Sequence, residues 1–309
     1  MPRTDDDTWD ITESVGATAL TVAAARAAET ETAQPLFRDP FARVFLDAAG
    51  EGTWSMFDRL PAAGVDPELA AQMRALWDFF ASRTAFIDDF FGAAADAGIR
   101  QVVILAAGLD ARAWRLAWPD GTRVYELDQP KVLDFKSSTL RAHGASPTAQ
   151  RIEVAVDLRR DWPTALRQAG FDVESPTAWS VEGLLRYLPS QGQDLLFERI
   201  HQMSAVGSRI VANAPTEDAL DPGRSARERE LGQRWRAVLG TQAGIQAPDV
   251  DQLSYAEERT DAVEWLAEHG WDASATTVPE AVAHYRRGSK DVGEKSPVPS
   301  YYISARRSR

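Results

Sequence analysis

Gln101-Val-Val-Ile-Leu-Ala106-Ala107-Gly108-Leu109-Asp110 decides how the rest of the chain is read. Gln101 to Ala106 is a short apolar run of strand length, with the β-branched residues of a buried strand. Gly108 follows at once, and suits either a tight turn where a backbone approaches a ligand closely or a plain strand–helix turn. N-terminal to this stretch the pattern is helical. Leu69, Met73, Leu76, Phe80, Ile87 and Phe91 recur at spacings of three, four or seven, which places them on one helix face. Val15 to Ala28 also reads as a packed helix. Thr18, Thr21 and Arg26 interrupt it, and it is too short to span a bilayer. Pro35, Asp39-Pro40, Pro61 and Asp66-Pro67 mark the breaks between helices.

C-terminal to Gly108, short apolar runs alternate with helical stretches. Thr122 to Leu127, Arg151 to Val156, Ala178 to Val181 and Ser208 to Ala212 read as further strands. Lys131 to His143, Trp162 to Gln168 and Gln191 to Val206 read as the helices between them. Such alternation predicts a doubly wound α/β sheet with right-handed crossovers. Pro215 to Pro248 reads as an insertion that holds a charged helix, Arg224 to Leu239. Asp261 to His269 is a helix stopped by Gly270, and Trp271 to Val278 and Ser300 to Ala305 are the last two strands. The tail from Arg286 to Arg309, with seven Lys/Arg and two acids, is expected to be a solvated end.

The composition sets bounds. The 309 residues are 44% apolar and 26% charged, an ordinary globular balance. With no cysteine, disulfides, thiolate metal sites and cysteine nucleophiles are excluded. His143, His201, His269 and His284 lack metal-ligand spacing, so no metal is expected. A formal charge of −12 disfavours nucleic acid as a partner. The acidic Met1 to Asp10 is unlike a secretory signal. No membrane segment is visible, and a cytoplasmic location is expected.

In a doubly wound sheet, ligands bind beyond the carboxyl ends of the strands. The second strand leads into Glu126-Leu-Asp128-Gln129-Pro130. An acid about 20 residues past the glycine turn is placed to accept from the two hydroxyls of a ribose. Asp128 stands at the strand end, and Glu126 shares its side-chain parity. Capping of the helix entered at Pro130 is an equal alternative for Asp128. Asp157-Leu158 ends the third strand and suits an adenine, with a surface turn as the alternative. Glu182, after the fourth strand, is open to three roles: base, ligand contact or helix cap. Arg83, alone on an apolar helix face, suits a carboxylate ligand or an internal ion pair to Asp88 or Asp89. Trp114 and Trp118, four residues apart on the helix expected after Gly108, would be packing neighbours.

Together these motifs make a recognisable ordered set. Val102-Val-Ile-Leu-Ala-Ala-Gly-Leu-Asp-Ala-Arg-Ala-Trp-Arg-Leu116 and Tyr125-Glu-Leu-Asp-Gln-Pro130 resemble the nucleotide-facing and ribose motifs of the leucine carboxyl methyltransferase-like family. Asp157-Leu158 and Val181-Glu-Gly-Leu-Leu-Arg-Tyr-Leu-Pro189 are similar to its later motifs. Ser14 to Arg26 and Pro35-Leu-Phe-Arg-Asp-Pro40 resemble a bacterial branch of S-adenosylmethionine-dependent methyltransferases. The likeness runs from about Asp7 to Arg306. It implies the class I methyltransferase fold, α/β and Rossmann-like, with a seven-stranded, mostly parallel sheet whose last strand is antiparallel, plus an N-terminal helical cap. One methyltransferase domain would comprise the cap (1–98), the cofactor core (99–213), a lid and substrate insertion (214–260) and a C-terminal helix with the last strands (261–309).

The implied cofactor is S-adenosyl-L-methionine. Asp128 would hold its ribose, Asp157 and Leu158 its adenine, and Gly108 the close backbone approach. Arg83 would clamp the methionine carboxylate, and Glu182 would face the methionine end. Asp110, Glu126 and Gln129 join the cofactor contacts as members of the same motifs. Ala106-Ala107-Gly108 replaces a more glycine-rich turn of many relatives. The expected reaction is methyl transfer to a small-molecule acceptor, with carboxylate O-methylation implied by the family alone. Tyr187, Trp235 and Tyr255 are the expected pocket walls. The rivals are a noncatalytic cofactor-binding protein and a nicotinamide-dependent oxidoreductase. The second would show a fuller GxGxxG than this chain has.

Overall fold

The computed structural model describes residues 15–50, 66–216, 220–221, 223, 230, 233–234, 255, 257–287 and 299–309. Three helices lead: α1 (Val15–Thr30), α2 (Pro40–Ala49) and α3 (Pro67–Asp96). In α1 the small apolar residues Leu20, Ala23, Ala24 and Ala27 are buried at helical spacing. Asp39 caps α2 by accepting from the Phe41 and Ala42 amides at 3.1 Å, with Pro40 in the first turn.

The sheet then follows: β1 (Gln101–Leu105), β2 (Arg123–Asp128), β3 (Gln150–Ala155), β4 (Thr177–Val181), β5 (Arg209–Pro215), β6 (Trp271–Thr277) and β7 (Ser300–Arg307). Their order is β3-β2-β1-β4-β5-β7-β6. Strands β1 to β5 pair in parallel, and β7 runs antiparallel to both β5 and β6. The expected seven-stranded sheet with an antiparallel final strand is therefore present. The order turns back between β1 and β4, which is where a doubly wound sheet opens its cleft.

Central strands β1 and β4 are buried along their whole length; β1 accordingly runs apolar from Val102 to Leu105, and β4 buries the small polar Thr177 and Ser180 beside Ala178, Trp179 and Val181. Val102, Ile104 and Val124 pack toward α1, α2 and α3, whereas Val103, Leu105 and Leu127 pack on the opposite face. That second face carries α6 (Trp162–Gln168), α7 (Ser190–Gln202) and α8 (Ala262–Glu268), while α5 (Pro130–Ala142) lies on the first.

Several expectations are corrected here. The helix after Gly108 is a single turn, α4 (Arg112–Arg115), which gives way to extended backbone at Leu116. Trp118 thus lies beyond it, and its indole N–H donates to the Arg112 carbonyl at 2.8 Å. Its ring meets Phe91 edge-on, so the i, i+4 argument for Trp114 does not apply. Helix α7 stops at Gln202, short of the expected Val206, with Met203 at its C-cap, and Gly207 then turns the chain at φ +90° before β5. A helix not foreseen, α9 (Val278–His284), starts directly at the end of β6 through a capping box between Thr277 and Glu280. In its described parts the basic tail is not a solvated end: Ser300–Arg307 is a strand inside the sheet, and Arg287 pairs with Glu29. Arg224 to Leu239 and Trp235 lie essentially outside the described residues.

Candidate functional site

A cavity of about 1480 Å³ opens over the carboxyl ends of β1, β2, β3 and β4. Its floor begins where β1 ends. Ala106 and Gly108 both adopt left-handed backbone, at φ +53° and +48°. That conformation is ordinary for glycine and costs an alanine about 1–3 kcal/mol. The turn is held from three sides. The Gly108 amide donates to Asp128 Oδ2 at 2.7 Å. Arg26 of α1 donates to the Leu109 carbonyl at 2.7 Å. The Lys136 ammonium of α5 donates to the Asp110 carbonyl at 3.0 Å.

Of the nine residues singled out from the sequence, eight line this cavity: Arg83, Gly108, Asp110, Asp128, Gln129, Asp157, Leu158 and Glu182. Glu126 does not. It has the parity of Asp128 but lies two residues deeper, fully buried between Lys136 at 2.8 Å and Arg151 at 2.6 Å. Of the two readings of Asp128, helix capping is not what it does: the α5 cap position is Gln129, with no side-chain cap. Instead Asp128 Oδ1 accepts the Gln129 amide and Oδ2 the Gly108 amide, both at 2.7 Å. Burial pushes its carboxyl up, and these two bonds offset that only in part.

At the end of β4, Glu182 bridges two guanidinium groups. Arg83 Nε reaches Oε1 at 3.0 Å and Arg112 Nη1 reaches Oε2 at 2.8 Å. Burial pushes the Glu182 carboxyl up, but the charges of Arg112, Arg83 and Arg26 prevail and hold it down at about 2. Arg83 therefore has Glu182 as its partner rather than Asp88 or Asp89. Asp88 is taken by Arg112 and Arg115, at 2.7 Å each, and Asp89 accepts the Tyr285 hydroxyl. Asp110 completes the cluster, 2.5 Å from Arg112. Burial pushes Asp110 up as well, and the Arg112 charge leads the effects that hold it below the usual range.

Asp157, at the end of β3, is gripped by the Arg159 guanidinium at 2.6 Å and by the Arg159 amide at 2.9 Å. Burial raises its carboxyl and these bonds more than reverse the effect. Beyond Glu182 the chain turns at Gly183, φ +66°, whose amide donates to Asn213 Oδ1 of β5 at 2.7 Å. A 3-10 turn, Leu185–Tyr187, then forms a second part of the cavity wall with Tyr255, Arg259 and Tyr301. Tyr187 and Tyr255, expected as walls, both line it.

Sequence reasoning missed Arg26, Arg112 and Arg259. A signal existed for the first two: each is an arginine set in an alanine-rich apolar segment, the pattern that singled out Arg83. Among the described residues no group of three or more His, Cys, Asp or Glu is arranged to hold a metal ion.

A family model described as leucine carboxyl methyltransferase matches residues 19–201. The chain is 58% identical to proteins of Mycobacterium ulcerans (strain Agy99) and Mycobacterium marinum, over 99% of each partner's length and of its own. Both carry the name "Putative S-adenosyl-L-methionine-dependent methyltransferase". Among solved structures, a DUF574 family protein from Streptomyces avermitilis superposes with a TM-score of 0.52 at 17% identity. That match covers 91% of this chain and 99% of the other, a likeness of fold. A family match over more than half the chain, together with relatives this similar end to end, shows that the protein belongs to the leucine carboxyl methyltransferase family.

Proposed function

We propose that this S-adenosylmethionine-dependent methyltransferase methylates a carboxylate oxygen of a small organic acid. The residues at the strand ends suit the cofactor. Asp128 uses two of a carboxylate's roughly four acceptor positions on backbone amides, which leaves acceptors for ribose hydroxyls. Leu158 offers an apolar surface beside Asp157 for a purine. Gly108 lets the backbone come close, and Arg83 and Glu182 present opposite charges to a zwitterionic amino acid end. When bound, the cofactor supplies an electrophilic methyl group on a sulfonium, which a nucleophile displaces in line. Helices α1 and α3 line one side of the cavity and serve as the cap that excludes water; the expected lid, 214–260, falls mostly outside the described residues.

One observation carries the choice of acceptor. The carboxylates at the strand ends are all engaged: Asp110 and Glu182 by arginines, Asp157 by Arg159 and Asp128 by backbone amides. No histidine lines the cavity among the described residues. Burial, and then Asp261, push Tyr301 up to about 12, so its hydroxyl stays protonated at neutral pH. An acceptor that is already ionised needs no proton removed, and a carboxylate meets that condition. Holding, aligning and desolvating it is then the main task of the wall.

The net charge of −12 favours a small-molecule partner over nucleic acid. No helix among the described residues is long and apolar enough to cross a membrane, and we place the activity in the cytoplasm. The test is transfer from methyl-labelled cofactor to a panel of organic acids. Carboxyl methyl esters release volatile labelled methanol in mild base. A labelled product that withstands base refutes carboxylate methylation while leaving methyl transfer intact.

A further inference from the structure

The cavity is lined by six arginines among the described residues, and five of them are occupied. Arg83 holds Glu182, Arg26 holds Asp39 and the Leu109 carbonyl, and Arg159 holds Asp157. Arg199 donates to the Arg160 carbonyl. Arg259 donates to the carbonyls of Leu185, Leu188 and Tyr255 and to the Gln193 side chain. Arg186 differs. It is half-buried on the 3-10 turn, its Nε is shielded from solvent, and that atom has no hydrogen-bond partner. The guanidinium packs 5.9 Å from the Tyr187 ring, and among the described residues no carboxylate pairs with it. Only its backbone is used, the carbonyl accepting from the Tyr255 amide.

A shielded guanidinium N–H without an acceptor is costly, because it has given up water for nothing. Arg186 also lines the cavity, so an incoming anion meets a guanidinium that no other described group has claimed. Neighbouring Arg259 donates only to neutral oxygens, with the charges of Glu257 and Asp194 felt at longer range. The planar fork of arginine matches the two oxygens of a carboxylate. Around it, Tyr187, Leu188, Leu195 and Tyr255 supply aromatic and aliphatic wall, which suits a ligand with an apolar body.

We propose that Arg186 is the specificity residue for the methyl acceptor, recognising the carboxylate of an acid with an aromatic or aliphatic body. This rests on the reading of the cavity as a carboxylate methylation site. It adds the residue that selects the acid.

The test is calorimetry on the full chain saturated with S-adenosylhomocysteine, titrated with 4-phenylbutyrate and with 4-phenylbutyramide. The two share a body and differ in charge. The acid is expected to bind at least about tenfold tighter than the amide, the scale of a charge-assisted hydrogen bond. In Arg186→Gln the preference falls to within about threefold, and in Arg186→Lys it is partly kept. Unchanged affinity for S-adenosylhomocysteine in both variants shows that each is folded. Equal binding of acid and amide by the wild type overturns the proposal. So does a preference that survives Arg186→Gln, or failure of both probes to bind. Failure of the wild type to bind S-adenosylhomocysteine refutes the cofactor reading instead.

Discussion

Replacing Glu182 with glutamine removes the negative charge shared by Arg83 and Arg112 while keeping the side chain's shape. The Glu182 side chain is only 12% exposed, so water screens the pairs little. Its carboxyl is held at about 2 against an ordinary 4.5. At roughly 1.4 kcal/mol per unit, that drop corresponds to about 3 kcal/mol of stability at neutral pH. Because the folded value lies below the unfolded one, the contribution is full above pH 4.5 and is lost as the pH falls toward 2. Urea unfolding of wild type and Glu182→Gln, followed by tryptophan fluorescence, should differ by about 3 kcal/mol at pH 7 and by about half that near pH 3. Acids that do not feel the Glu182 charge titrate alike in the two proteins and cancel in the difference; Asp110, which that charge raises, is the neighbour that does not. A gap that stays constant from pH 7 to pH 3, or one below about 1 kcal/mol at pH 7, would show that the bridge is not the source of the low value.

The other predictions concern the turn and the sheet. Ala106→Gly should relieve the left-handed strain at φ +53° and raise stability by about 0.5–1 kcal/mol after the entropy cost of glycine, seen as a higher Tm. Asp128→Ala should weaken S-adenosylmethionine binding by about 1–3 kcal/mol in calorimetry, since an ionised acceptor and the anchor of the Gly108 amide are both lost. Glu126→Ala should leave Lys136 and Arg151 buried without their shared partner and cost about 3–5 kcal/mol in urea unfolding. Its cofactor affinity should move less than that of Asp128→Ala, and the reverse order would return Glu126 to the ribose.

The sheet was legible because β1 is buried on both faces and reads as an apolar run from Val102 to Leu105, while β4 keeps Ala178, Trp179 and Val181 around the buried Ser180. Their predicted limits lie within a residue of the observed ones. Helix α9 was not, since its capping box follows β6 without a break and the expected strand Trp271 to Val278 runs straight into its first residue. The strand-end rule found Gly108, Asp128, Asp157 and Glu182 because it depends on topology alone. Parity put Glu126 on the right face of β2 but says nothing of depth along the strand, and depth decides whether a carboxylate meets a ligand or a lysine. The arginine cluster escaped for a different reason. Arg83 and Glu182 are 99 positions apart, and Arg112 and Glu182 are 70, so nothing local tells one buried arginine which acid it will find.

Strand β7 sits between β5 and β6 although it follows both in the chain. During synthesis β6 therefore emerges before its sheet neighbour exists, and β5 waits with one edge bare. Both edges are sealed in a single late event, when Ser300–Arg307 slides in antiparallel to each. The same strand brings Tyr301 to the cavity wall and hooks the Tyr302 hydroxyl onto Ser82 and the Phe79 carbonyl of α3. A ribosome-bound chain that has not yet made β7 thus lacks one wall of the cavity and a tie to the cap. Tyr301 is the last of the described cavity-lining residues to be translated. A nascent chain stalled before β7 would be open at two strand edges at once, the form most exposed to mispairing and to chaperone capture.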